Sequence, residues 1–380
     1  MFYLDNAATT PVLSAVLEKS LPYLNEHFGN PSSLHHLGVG AARAVKTARE
    51  ALANMFHLSK ENVIFCSSGT EANHLALWGI AHSSRLKGNH IIASSIEHPS
   101  VLRTLEALQT RDYHTSLIRV LPTGVIDIAH LETLISEETR LVSCMAVNNE
   151  IGTKQPLEEI GTMLKKKYPH IIFHVDAVQA FTKIPLLMKS GKIDLLSISG
   201  HKIGAPKGIA ALIFADNISF SPVILGGGQE HGMRSGTENV FGIVALAEAA
   251  FLKEQKRESV FESLIHYKQQ WLEFLSSECA QIEVFHSPAV LPYFLSVAFP
   301  PIPAEVFLHH LEAEGIYVSS GSACSSKKTQ ISHVSQAIGM SPYIAKSMIR
   351  LSFSAKNSLE DQHDMFRRFS KAVGQLKELI

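Results

Sequence analysis

Short apolar runs alternate along the chain with stretches in which apolar residues return at every third or fourth position. Runs at 63–66, 91–95, 117–121, 141–147, 171–175, 193–199 and 209–214 have the length and content of buried strands. Before and between them, 38–56, 71–80, 100–110, 128–136 and 157–167 place apolar residues on one face at helical spacing. Such alternation predicts βαβ units and a mostly parallel sheet covered on both faces. In sheets of that kind, ligand-binding groups collect on loops at the carboxyl ends of the strands. The pattern changes after Gly226-Gly227-Gly228. Residues 240–275 read as one long helix with a charged centre at 253–258. Beyond it, 294–299 and 316–319 predict strands, and 304–314, 341–348 and 359–379 predict helices. Near the start, 11–25 has helical spacing behind a turn-rich arm. The expected division is a large α/β part, residues 16–255, and a smaller α+β part made of 1–15 and 256–380.

Composition and charge narrow the class. Of 380 residues, 46% are hydrophobic and 18% charged, the balance of a soluble globular protein. A net charge of −1 gives no field that favours nucleic acid or an anionic membrane surface. The opening M-F-Y-L-D-N-A-A-T-T-P lacks the basic and apolar stretches of an export signal, and no run reaches the ~20 apolar residues of a membrane span. The four cysteines, Cys66, Cys144, Cys279 and Cys324, form no C-x-x-C, so reduced thiols in a cytoplasmic setting are expected. Cys66 and Cys144 fall in apolar runs and read as core. Cys324 stands in a small polar loop, S-S-G-S-A-C-S-S, followed by Lys327-Lys328, where a thiol is exposed and two cations favour the thiolate. The twenty histidines form no H-E-x-x-H and no Cys/His cluster, so no metal site is expected.

Four loops that follow strand-like runs carry chemistry. Ser68-Gly69-Thr70 opens a helix, whose first amides and a Thr hydroxyl suit a phosphate. Ser95-Ile96-Glu97-His98 ends in a ring able to stack on a flat ligand or to cap the next helix. His174-Val175-Asp176 offers a carboxylate that can keep a pyridine nitrogen protonated or serve as an N-cap. Ser199-Gly200-His201-Lys202 presents a lysine at a strand end, where partial desolvation makes an imine-forming nucleophile. Phosphate cradle, aromatic partner, carboxylate and lysine together are what pyridoxal 5'-phosphate requires.

With these stretches the chain resembles the class V aminotransferase family, and within it the cysteine desulfurases of the NifS/IscS type. The resemblance runs nearly end to end, through Y-L-D-N-A-A-T-T-P at Tyr3, F-G-N-P-S-S-L-H at Phe28, S-S-G-T-E-A-N at Ser67 and S-I-E-H at Ser95. It continues through V-N-N-E-I-G at Val147, H-V-D-A-V-Q at His174, S-G-H-K at Ser199, G-G-G-Q-E-H-G-M-R-S-G-T at Gly226 and S-S-G-S-A-C-S-S at Ser319. The resemblance implies a fold-type I pyridoxal-phosphate-dependent transferase, with a mostly parallel sheet between helices and a smaller α+β domain. It implies that Lys202 bonds the cofactor, Asp176 pairs with the ring nitrogen and His98 stacks on the ring. It places Gln179 and Asn149 near the ring hydroxyl, and Gly69, Thr70, Ser199 and His201 at the phosphate. Thr237 is expected to reach the phosphate of a neighbouring subunit, which implies a homodimer. Arg350 is expected to grip the carboxylate of L-cysteine, assisted by Asn30; an arginine fork suits that bidentate task.

The resemblance also implies the reaction. Cys324 accepts sulfur from L-cysteine as a persulfide and L-alanine leaves, with Lys202 and His98 moving protons. The sulfur then passes to an acceptor or scaffold protein, for instance in iron–sulfur cluster assembly. Two alternatives share these residues: a selenocysteine lyase of the same family, and a catalytically weak partner-binding member of a sulfur-transfer assembly. The chain departs from the family pattern at Ser68, Ala205 and Ala210, where glycines are usual, at Ala355-Lys356 after the arginine strand, and in the loop after Cys324.

Overall fold

In the computed structural model, which describes residues 1–188, 192–216, 218–320, 331–357 and 361–378, the apolar runs pair as sheets. The strands are β1 (Phe2–Tyr3), β2 (Val63–Cys66), β3 (His90–Ser94), β4 (His114–Ile118), β5 (Thr139–Met145), β6 (Ile172–Asp176) and β7 (Leu195–Ser199). They continue with β8 (Ala210–Phe214), β9 (Glu283–Val284), β10 (Phe294–Ala298), β11 (Ile316–Tyr317), β12 (Ser319–Ser320) and β13 (Met348–Ser352). The main sheet has the order β2-β8-β7-β6-β5-β3-β4. Its pairs from β7 to β4 are parallel, while β8 is antiparallel to both β7 and β2. β2 therefore runs in the same direction as β7. The loops that follow β2, β3, β5, β6 and β7 all open at one edge.

Alternating residues explain why this sheet is covered twice. Ile92, Val142, Phe173 and Leu196 pack into one apolar cluster, and their neighbours Ile91, Leu141, Ile172 and Leu195 into another on the opposite face. Cys66 and Cys144 are both buried in these layers, as expected from their apolar runs. His174 is also buried there, its two ring nitrogens 2.9 Å from Ser143 Oγ and 3.0 Å from Ser197 Oγ. Burial pushes it down to about 3, so it is neutral and structural.

A second sheet, β12-β13-β10-β9, is antiparallel throughout. It packs with helix Arg257–Glu278 and helix Gln362–Lys377 around Trp271, where the rings of Phe353 and Phe369 lie 6.1 and 5.3 Å away. An arm joins the two sheets. β1 pairs with β11 in parallel, Ser352 N–H donates to Leu4 O at 2.7 Å, and Leu13 N–H donates to Gly204 O at 3.0 Å.

Several elements differ from their expected bounds for physical reasons. The edge strand β4 covers 114–118 rather than 117–121, and Leu117 is 48% exposed, because an edge strand with one open side tolerates polar residues. The helix expected over 240–275 breaks at Lys256 (φ −104°, ψ 2°) into Val240–Gln255 and Arg257–Glu278. The helix expected over 11–25 divides at Pro22, where a new helix starts because proline suits a first turn and not an interior. Finally, 341–348 supplies only the turn Pro342–Ala345, and the next residues form the central strand β13.

Candidate active site

The turn carrying Lys202 is fixed from two sides. After β7 the chain folds through Gly200–Lys202, and Gly200 N–H donates to Ile209 O at 3.0 Å. A Cβ at Gly200 would stand 2.9 Å from Ile209 Cγ2, so the close return requires glycine. The arm clasps the turn from above: Thr10 donates to His201 O through both its amide and its hydroxyl, each at 2.9 Å. Lys202 Nζ donates to Ala7 O at 2.6 Å and Ala8 O at 2.7 Å. The amine is thereby held by main-chain acceptors rather than left to swing in solvent. Beside it, burial and the cations Lys202 and Lys207 push His201 down to about 4, so its imidazole is neutral.

Asp176 ends β6, the neighbour of β7, and pairs in register with Ser197. It is 5% exposed, accepting from Asn73 Nδ2 at 2.7 Å and from Val178 N–H at 2.9 Å. The same Asn73 amide donates to Ser100 Oγ at 2.9 Å, and that hydroxyl lies 2.8 Å from His98 Nδ1. A polar chain thus links His98 to Asp176 through Ser100 and Asn73. His98 caps helix Pro99–Gln109 by accepting Ser100 N–H at Nδ1, so in the neutral ring the proton sits on Nε2. Burial lowers its pKa, opposed by Asp176 and assisted by Lys202 and His333.

Two further carboxyls are buried beside these groups, Glu150 lining the cavity and Glu97 not. Glu97 Oε1 accepts from Ser94 Oγ and Met145 N–H, each at 2.6 Å, while Oε2 has no hydrogen-bond partner among the described residues. Burial, with Asp176 nearby, pushes Glu97 up to about 8. It is therefore a neutral acid at pH 7. Glu150 accepts from Ser332 Oγ at 2.6 Å, and burial raises it to about 7 against the pull of that hydroxyl and of Arg350.

Arg350, on β13, reaches the cleft from the smaller sheet. It is 4% exposed, donating from Nη2 to Asp5 Oδ1 at 2.7 Å and from Nη1 to Asn149 O at 2.6 Å. Its Nε–H has no partner among the described residues. Two N–H groups fix the guanidinium plane, leaving the others for an acceptor such as a carboxylate. Burial raises the Asp5 carboxyl, and Arg350 opposes the shift.

These groups surround one cavity of about 860 Å³, within the range of small-molecule sites. It brings together Lys202, His98, Asp176, Gln179, Asn149 and Arg350. Gly69, Thr70, Ser199 and His201 also line it. A Cβ on Gly69 would stand 2.8 Å from Val178 Cγ2 and 3.4 Å from Ser199 Cβ, so only glycine lets the helix start approach that closely. Asn30 lies elsewhere, exposed on its loop and accepting Ser32 N–H at 2.9 Å. Thr237 lines a separate hollow with Glu230 and Arg234. Cys324 lies outside the described residues. Asn73, Glu97, Glu150 and Asp5 carry no assigned role in the sequence reading, although each sits inside a quoted motif. Only their positions against Asp176 and Arg350 reveal them.

The hollow at Thr237 has a firm anchor. Arg49 forms a two-pronged pair with Glu230 at 2.6 and 2.7 Å, and Glu230 also accepts Phe65 N–H at 2.9 Å. Arg234 Nε donates to Glu71 Oε1 at 2.7 Å, tying this loop to the helix that begins at Gly69.

A parallel sheet with a lysine, a carboxylate and a glycine turn at its carboxyl edge defines a fold-type I transferase. The chain belongs to the class-V aminotransferase family, whose model matches residues 2–364. The cysteine desulfurase IscS of Methanosarcina thermophila is 38% identical over 377 residues, covering 99% of this chain and 93% of that one. A solved NifS-like protein superposes with a TM-score of 0.90 at 33% identity, covering 99% of both chains. A further structure, SspA in complex with cysteine, has a TM-score of 0.83 at 32% identity, covering 93% of this chain and 99% of that one. Among the described residues no helix is long and apolar enough to cross a membrane, and no group of His, Cys, Asp and Glu could hold a metal ion.

Proposed function

We propose that the chain is a pyridoxal 5'-phosphate-dependent cysteine desulfurase. It converts L-cysteine to L-alanine and leaves the sulfur on Cys324 as a persulfide, so one thiol plus cysteine gives one persulfide plus alanine. The reading rests on one observation above all. Lys202 and Asp176, from adjacent parallel strands, share a cavity with a buried arginine whose Nε–H has no partner among the described residues.

The residues present fit the cofactor. The start of helix Gly69–Ala81, with Thr70, Ser199 and His201, offers amides and hydroxyls to a phosphate; Asp176, fixed by two donors, is ready to accept from a ring nitrogen. When bound, pyridoxal phosphate supplies an electron sink that acidifies the carbon next to the substrate nitrogen. The neutral His98 ring is shaped to stack on that ligand and to donate a proton from Nε2, and Gln179 and Asn149 line the same wall. Lys202 would hold the cofactor through its amine in place of Ala7 O and Ala8 O, and would serve as base. Arg350 receives the substrate carboxylate. Thr237 completes the phosphate site of a second copy, making a homodimer the working unit. Residues 16–255 form the cofactor-binding part, and 1–15 with 256–380 the smaller part that presents Cys324; the separate sheets support that division. The product sulfur goes to a protein acceptor, in a cytoplasmic setting.

Mixing the protein with pyridoxal phosphate should produce a visible absorbance band that borohydride abolishes and that K202A lacks. With L-cysteine alone, alanine should form and mass spectrometry should locate one added sulfur on Cys324; a thiol reductant should then release that sulfur as sulfide. The C324A variant should keep the band and lose at least about a hundredfold in turnover. Full cysteine turnover by C324A would refute the persulfide.

A further inference from the structure

A second, smaller cavity shares the Lys202 wall. It lies between the arm, the break at Lys256 that separates the two long helices, and the end of β13. Lys183, Lys253 and Arg257 line it together with Lys202, and among the described residues no acidic one lines it. Lys183 Nζ donates to Gln179 Oε1 at 3.2 Å and lies 5.5 and 5.4 Å from the ring centres of Tyr293 and Phe294. Among the described residues neither Lys183 nor Lys253 forms an ion pair, whereas Arg257 is shared at the rim with Glu254 at 2.8 Å and Glu258 at 3.5 Å.

Cations confined in this way repel one another, and the repulsion is strong where water is scarce. The ammonium of Lys183 shows the strain: burial and the charges of Lys202, Lys253 and Arg350 bring it down to about 7. A negative ligand would relieve it. The cavity holds about 40 Å³, room for a few waters or one compact polyatomic ion. Thr182 and Tyr293 also line it, and each carries a hydroxyl. That arrangement suits an ion with several acceptor oxygens better than a halide.

We infer that this cavity binds one small inorganic oxyanion of the phosphate or sulfate type, held by Lys183, Lys253 and Arg257. The inference is independent of the proposed reaction. It is tested by calorimetric titration of the cofactor-loaded protein with phosphate, and separately with sulfate, at low ionic strength. Loading the cofactor first fills the cradle at Thr70, and in protein that keeps no cofactor the variant below still reports this cavity alone. Saturable binding of one oxyanion per chain is expected, with chloride at least tenfold weaker. The K253M variant should bind phosphate at least tenfold more weakly, and R257M gives the same comparison if K253M does not fold. Absence of saturable binding, equal affinity for chloride, or unchanged phosphate affinity in the folded variant overturns the inference.

Discussion

Glu230 and Glu97 are both buried, yet the chain treats them in opposite ways. Glu230 faces the two prongs of Arg49 and the Phe65 amide, so each of its oxygens meets a donor. Glu97 has donors on one oxygen only and is held as a neutral acid beside Asp176. The first arrangement makes a scaffold, because a fully matched buried pair fixes a loop and leaves nothing over for a ligand. The second leaves bonding capacity unspent close to the cavity, which is the condition of a region organised for chemistry. Arg350 repeats the lesson beside Arg49. Each guanidinium holds one carboxylate and one main-chain carbonyl, but Arg49 grips Glu230 with two prongs, while Arg350 holds Asp5 with one and its buried Nε–H has no partner among the described residues.

The largest expected effect breaks the scaffold side. R49M leaves Glu230 buried without its countercharge and should cost about 3–5 kcal/mol in denaturant unfolding. A loss below about 1 kcal/mol would erase the contrast. The next test sharpens the other side. Glu97 has its carboxyl raised from the ordinary 4.5 to about 8, so the folded state holds a proton that the unfolded state releases. Its contribution to stability is full below about 4.5 and is lost as pH rises to about 8. E97Q, which keeps the neutral form, should match the parent near pH 4.5 and gain on it by roughly 1.4 kcal/mol per pH unit across that window. Parallel stability profiles for the two proteins would show that Glu97 is not protonated in the fold. The smallest effect concerns Glu150. S332A removes a hydrogen bond to its carboxylate and should lower stability by about 1 kcal/mol at pH 8, and by less at pH 5, where the carboxyl is already protonated.

What could be read from the sequence follows the same divide. The inner strands β3, β5, β6 and β7 were legible because burial on both faces demands continuous apolar runs, and the loops after them were legible because motif and strand end coincide. β13 was not, because Arg350 interrupts a short run that resembles a helix end, and the strand exists only through pairing with β10 and β12. Lys202, Asp176 and His98 were visible as side chains suited to a known chemistry. Asp5 and Glu97 were not, since their significance depends on neighbours 345 and 48 positions away. Local spacing carries no trace of such partners.

The arm has a consequence for how the molecule comes into being. Asn6 donates to Ser352 O and to Asn357 Oδ1, partners 346 and 351 positions along the chain. The carbonyls of Ala7 and Ala8 beside it hold Lys202. During synthesis, a ribosome must therefore deliver nearly the entire polypeptide before that amine can be seated. Until then the Lys202 amine is loose, and its seating belongs to the last act of folding rather than to its beginning.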